Sequence, residues 1–353
     1  MITFLIFLPF LLGFVVVAVY GERKIAAFIQ NRLGPMEVGP KGVIQTVADL
    51  LKMLQKEDIV PKAADRLLFL AAPIIVFASI FAGYAVLPFT YGLSGSSIDT
   101  GIFFLLSIVS LDVLGVLLAG WGSNNKFALY GSMRSVAQIV SYEIPLGLSV
   151  LAVVMVSQSM DLQEITQQQG IYSSSSEKSF LLGIPAIDIS TKGGFLSWNF
   201  FRMPLLIIAF LIFFISGLAE SNRVPFDLPE AESELIGGYH TEYSGFRWGL
   251  FMLSEYGMML LISFLAAILF FGGWYSPLPN IGSLKLAEWT NGPVWGGFWL
   301  ISKAMFFIFL QMMVRWTYPR LRVDQLMSLS WKYLTPMSIF LLFIIGIWKL
   351  WTL

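Results

Sequence analysis

Residues 220–255 hold the densest run of carboxylates in the chain. Glu220, Asp227, Glu230, Glu232, Glu234, Glu242 and Glu255 fall here, with only Arg223 and Arg247 to balance them. The local net charge is −5, in a chain whose 22 basic and 22 acidic residues cancel. A carboxylate near a bilayer is costly unless it is paired, hydrated or protonated. Glu230 and Glu234 stand four apart, so on a helix they face each other and repel. Repulsion favours uptake of a proton by one of the two, and a row of such coupled groups can hand protons along. Local structure accounts for part of the run. Asp227-x-x-Glu230 with Pro229 between them has the form of a capping box at the positive end of a helix. That leaves Glu232 and Glu234 over. A proton-passing chain and a solvated acidic loop both fit the spacing.

Glu143 and Glu255 lie inside apolar windows, next to Tyr142 and Tyr256, and Asp112 lies in another. Intramembrane carboxylates point to function by default. The structural alternative is an ion pair with a nearby arginine such as Arg134. Asp49 fits the polar face of a short amphipathic helix, where a solvated role suffices. His240, the one histidine, is a candidate proton donor or a simple hydrogen-bonding partner. With no cysteine and one histidine, the chain has no disulfides, thiolate zinc sites, iron–sulfur ligands or bis-histidine haem. Any electrons must come from another polypeptide.

The elements that hold these residues are membrane helices. Of the 353 residues 57% are hydrophobic and 12% charged, about half the charge of a soluble domain, for which roughly 25% is usual. The neutral balance argues against nucleic-acid binding. A span needs about 20 mostly apolar residues. Windows near 2–20, 67–89, 102–121, 137–157, 203–219, 248–272, 298–316 and 334–351 meet that length. The expected fold is therefore an all-α polytopic membrane bundle, one domain over 1–353, of about eight transmembrane helices. The first window has no basic leader and reads as a retained anchor. Lys303 and Arg315, near the ends of the seventh, are expected to snorkel toward the interfaces. The loops after spans 1, 3, 5 and 7 hold 16 of the 22 basic residues, which puts them in the cytoplasm and both termini outside.

Val43, Val47, Leu50, Leu51 and Leu54 form an apolar stripe opposite Gln45, Asp49, Lys52 and Lys56. This predicts a short amphipathic helix on the cytoplasmic side. Residues 158–200, with their glutamine and serine runs, read as a long, polar, tolerant outer loop.

The stretch Leu218-Ala219-Glu220-Ser221-Asn222-Arg223-Val224-Pro225-Phe226-Asp227-Leu228-Pro229-Glu230-Ala231-Glu232-Ser233-Glu234-Leu235 resembles one family. So do Glu22-Arg23-Lys24, Gln30-Asn31-Arg32-Leu33-Gly34-Pro35 and Gln45 through Lys52. Ser141-Tyr142-Glu143-Ile144-Pro145, Tyr239-His240-Thr241-Glu242-Tyr243-Ser244-Gly245 and Arg315-Trp316-x-Tyr318-Pro319-Arg320-Leu321-Arg322-x-Asp324-Gln325 match it as well. It is the quinone-site membrane subunit (the H subunit in bacteria) of proton-pumping NADH:quinone oxidoreductase, respiratory complex I. The resemblance covers nearly the whole chain apart from 158–200.

The resemblance implies a part of an enzyme complex that is not catalytic alone. Arg23, Arg32, Asp49 and Arg223 look like quinone-tunnel residues. Glu143, Glu220, Asp227, Glu230, Glu232, Glu234, Glu242 and Glu255 look like a proton-coupling funnel. The implied substrate is a quinone, with no flavin, iron–sulfur cluster, haem or metal on this chain. The implied partners are the hydrophilic quinone-site and terminal iron–sulfur subunits, small membrane subunits, antiporter-like subunits and lipid. The implied location is an integral one, in a bacterial plasma membrane. The nearest alternative is the membrane anchor of an energy-converting hydrogenase or formate-hydrogenlyase complex. A stand-alone ion transporter lacks support, since neither inverted repeats nor broken helices are evident. A purely structural scaffold leaves the −5 patch unexplained.

Overall fold

The computed structural model describes residues 2–90, 93–96, 98–170, 193–228, 236–280 and 285–352. The chain is a helical membrane bundle. Six of its helical segments are long and apolar enough to cross a membrane: Arg66–Val86, Gly101–Gly122, Lys126–Ser157, Gly245–Phe270, Pro293–Thr317 and Val323–Trp351. Leu205–Glu220 is a shorter apolar helix. Helix α1, Ile2–Ile29, occupies the first apolar window, and its residues 2–21 carry no charge.

The other elements are α2 (Gln45–Gln55), α3 (Arg66–Gly83), α4 (Gly101–Val109), α5 (Leu111–Gly122), α6 (Lys126–Ser157), α7 (Leu162–Gln168), α8 (Asn199–Arg202), α9 (Leu205–Glu220), α10 (Gly245–Phe270), α11 (Leu286–Trp289), α12 (Pro293–Thr317), α13 (Val323–Ser328) and α14 (Thr335–Thr352). A π-helical turn, Leu329–Leu334, joins α13 to α14. A two-stranded hairpin, Pro88–Thr90 with Leu93–Ser94, is the one departure from all-α among the described residues.

Helix α10 is the central post. Residues 254–270 are all buried, as expected of a helix that is apolar on every side. It packs against α3, α9 and α12. Glu255 therefore sits on the most enclosed element of the bundle.

Three expectations change. The third span carries a turn at Ser110, whose φ/ψ of −62°/−14° stay in the right-handed helical region, so Asp112 falls in the first turn of α5. Helix α6 starts eleven residues before its apolar window, with Asn125 accepting a hydrogen bond from the Phe127 amide at 2.9 Å. Its 32 residues span about 48 Å at 1.5 Å per residue, more than a hydrocarbon core of about 30 Å.

The ends of the 158–200 loop are also not tolerant surface. Gln169 and Asn199 are buried. Gln169 donates to the carbonyls of Ile165 and Ile268 and accepts from the amides of Asn199 and Gly272. These polar side chains satisfy carbonyls at the end of α10 that have no helical partner.

Candidate functional site

The site begins where α9 ends. Asn222 takes a left-handed φ of 50°. Its amide bonds the Ala219 carbonyl at 3.3 Å, and the Arg223 amide bonds Leu218 at 3.2 Å. This Schellman-type reversal turns the chain back over the bundle. The Gln138 amide on α6 holds it, donating to the Ala219 carbonyl at 2.7 Å and to Asn222 Oδ1 at 3.3 Å.

The turn delivers Arg223 to Glu22 near the end of α1. Arg223 Nη1 lies 3.2 Å from Glu22 Oε2, and both residues are only 5% exposed. Arg315, from the last turn of α12, pairs with the other oxygen, Oε1. The Tyr256 hydroxyl of α10 donates to Glu22 Oε2 at 2.6 Å, and the Arg223 guanidinium lies 4.2 Å from the Tyr256 ring. One carboxylate thus serves two guanidiniums, and the cluster carries a net positive charge. Burial works against the charge on Arg223. The Glu22 carboxylate outweighs it, so the guanidinium is held above its ordinary pKa. Its Nε and Nη2 have no hydrogen-bond partner among the described residues.

One residue before Tyr256, Glu255 Oε1 lies 3.7 Å from His240 Nε2. That is close enough for charge interaction and too long for a direct hydrogen bond. His240 packs against Tyr239 and Phe251. Asp112, Glu220 and Glu255, carried by α5, α9 and α10, are all buried, and Glu143 on α6 is half-buried. Asp112 Oδ1 and Glu220 Oε2 are buried with no hydrogen-bond partner among the described residues. Such oxygens call for water or a proton.

Arg23 and Asp49 meet directly at 2.6 Å, joining α1 to α2. Burial pushes the Asp49 carboxyl up. Hydrogen bonds from Arg23 and Gln45, with the charges of Arg23 and Lys52, outweigh that and hold it below its usual range. The α2 apolar stripe is outward: Val47, Leu51 and Leu54 are exposed.

The remaining expected residues are dispersed. The Arg32 side chain is exposed and makes no hydrogen bond or ion pair among the described residues. Glu242 accepts from Asn125 Nδ2 at 2.6 Å, at the start of α6. Asp227 pairs with Arg320 at 3.1 Å. Arg134 stacks on Tyr130, 4.4 Å from its ring, and Glu143 has no ion pair among the described residues. The expectations for Glu230, Glu232 and Glu234, and the Glu230 half of the capping box, lie outside the described residues.

Glu22, Tyr256 and Arg315 were not singled out as site residues from sequence. Glu22 carries one signal in the sequence, since it is the first charge after the long apolar run that opens the chain. Arg315 and Lys303 do not snorkel. Arg315 has Glu22 within the bundle, and the Lys303 ammonium turns inward to three backbone carbonyls.

A polytopic helical membrane protein with a buried arginine–carboxylate hub beside a row of enclosed acids is a recognisable class. A sequence model of the family described as NADH dehydrogenase matches residues 2–346. The chain is 56% identical over 362 aligned positions to the NADH-quinone oxidoreductase H subunit 2 of Cytophaga hutchinsonii, covering 99% of each chain. It is 53% identical over 330 residues to the H subunit of Chlorobaculum parvum, covering 94% of this chain and 86% of the relative. It is 44% identical over 339 residues to the H subunit of Brevibacillus brevis, covering 96% and 90%. The chain belongs to the NADH dehydrogenase family of NADH-quinone oxidoreductase H subunits.

Proposed function

We propose that this chain is the membrane subunit of a bacterial respiratory complex I that forms the quinone tunnel with hydrophilic partners and couples quinone reduction to proton movement. The observation that carries the reading is the adjacency of the Glu22–Arg223–Arg315–Tyr256 hub to Glu255. A quinone gains two electrons and two protons on becoming quinol. The electrons come from iron–sulfur clusters in partner subunits. Arg223 offers buried donors suited to a headgroup oxygen, and negative charge developing on that oxygen would compete with Glu22 for the guanidiniums. Tyr256 reports the resulting shift to Glu255, and the network Glu255, Asp112, Glu143 and Glu220 answers by taking up or releasing protons. Arg23, Arg32 and Asp49 line the approach to the tunnel, and Asp227, Glu230, Glu232, Glu234 and Glu242 continue the acidic funnel. The remaining partners are small and antiporter-like membrane subunits and lipid. The basic loops face the cytoplasm and both termini face outward.

The relatives' names favour this reading over a hydrogenase anchor. The test is NADH:quinone turnover with a membrane-potential dye, in liposomes holding the assembled complex with Glu255→Gln. An electron rate that holds while the potential falls supports coupling through this acid. Unchanged rate and potential together would sink it.

A further inference from the structure

Helix α12 presents a stripe to α10 at four-residue intervals: Arg315, Gln311, Phe307 and Lys303. Arg315 closes one end on Glu22. One turn on, Gln311 Nε2 donates to Ser263 Oγ of α10 at 3.2 Å. Gln311 is 2% exposed, and its Oε1 has no hydrogen-bond partner among the described residues. A buried, unmatched amide oxygen is a place for water. The hub's polarity therefore extends up the α10–α12 interface.

The next turn is dry. Phe307 packs against Phe271 at 4.9 Å and Phe210 at 5.7 Å, with Ala267 and Ala304 fully buried. Beyond this aromatic layer stands Lys303, about 18 Å from Arg315 along the helix. Its ammonium donates to the carbonyls of Phe271, Gly273 and Tyr275 at 2.7, 2.9 and 2.6 Å. It also lies 4.3 Å from the Trp198 ring. Three carbonyl acceptors require three N–H donors, which only the charged ammonium supplies.

We propose that Lys303 and the Phe307 layer are a proton seal, which stops the α10–α12 interface from leaking to the far side of the membrane. A proton wire needs groups that both accept and donate. An ammonium with every hydrogen committed to a carbonyl has no lone pair to accept, and its fixed charge repels an approaching proton. A protein whose buried acids carry protons toward neighbouring subunits needs such a stop along the α10–α12 interface, which runs from Glu255 and the Glu22 hub to the opposite end of the bundle. The loop ends 158–170 and 193–200 hold the stop in place through Gln169, Asn199 and Trp198. That gives a reason for their burial.

The inference rests on reading the buried acids as proton carriers, but its test is made on the enzyme at rest. Assembled complex with Lys303→Met is reconstituted in liposomes with a trapped pH dye. A pH step is then imposed without NADH. The step should decay about tenfold faster than in wild type, the size expected for loss of one fixed charge acting over about 12 Å at an effective dielectric of about 20. Lys303→Arg should stay tight. NADH:ferricyanide activity measures how much complex is present. If Lys303→Met does not assemble, Lys303→Gln, which keeps a donor and loses the charge, takes its place. An assembled, uncharged variant that holds the step as long as wild type overturns the seal. Because no turnover is involved, that result is distinguishable from failure of the Glu255→Gln coupling test.

Discussion

Tyr256 donates its phenol to Glu22 at 2.6 Å across 234 residues of chain. The bond ties the last charged turn of α1 to the central helix, and the next residue back, Glu255, opens the acid network. Tyr256 is thus bonded to the arginine hub and adjacent in sequence to a buried acid.

Replacing Tyr256 with Phe removes that donor and keeps the ring beneath Arg223. A hydrogen bond to a charged group contributes about 1.5–3 kcal/mol, and roughly 1.4 kcal/mol is a factor of ten in rate. Quinone reduction should fall about tenfold or more while NADH:ferricyanide activity, which needs only the peripheral subunits, stays level. An unaltered quinone rate in assembled Tyr256→Phe complex would remove Tyr256 from the coupling route.

Glu22→Gln leaves two guanidiniums without their shared counter-charge. Breaking a buried ion pair from one side costs about 3–5 kcal/mol, so the amount of intact complex on native gels should drop sharply. Removing one arginine as well, in Glu22→Gln/Arg315→Met, relieves half of the imbalance and should recover part of the assembly. Additive losses in the double variant would show that the two residues do not share one interaction.

Asp49 gives a pH dependence whose sign is set. Its folded pKa lies below the ordinary carboxylate value, so its contribution to docking α2 on α1 is fully present above the unfolded pKa of about 4 and is lost as pH falls through the lower folded value. Partial exposure makes that contribution small. Amide protection factors in residues 45–55, taken against the intrinsic exchange rate at each pH, should therefore be flat from pH 7 to about pH 5 and fall only below about pH 4. In Asp49→Asn protection should already be lowered at pH 7, with no further acid step from this residue.

Gly272 tests the capped end of α10. It sits at φ +71°, and an added Cβ would lie 2.4 Å from the Trp198 indole. Gly272→Ala should lower the yield of assembled complex. Gly147→Ala, inside α6 with nothing within 4 Å of the new atom, should raise stability by up to about 1 kcal/mol through helix propensity. Thermal inactivation of the two variants side by side separates the cases.

Much of the architecture was legible because membrane insertion is read locally. Twenty apolar residues make a span wherever they stand, so each apolar window holds a helix, and Val47, Leu51 and Leu54 share one face of α2 as their spacing requires. Glu143, Glu255 and Asp112 stood out for the same reason, since a carboxylate inside an apolar run is conspicuous without a partner. The turn at Ser110 and the buried ends of the 158–200 loop were not legible. Neither Ser110 nor a glutamine carries a local mark of what it will touch.

The sequence by itself determined where the helices lie, which of them carry acids, and the family. Only the tertiary structure decided the pairings. Glu22 and Arg223 are 201 residues apart, and what joins them is a left-handed turn at Asn222 and the packing of α1 and α9 against α10. Arg315 and Lys303 both looked like interfacial cations. The fold turned one to a carboxylate and the other to three carbonyls, because a buried helix end and a buried charge must each find a partner, and which partner depends on packing that no single stretch of chain encodes.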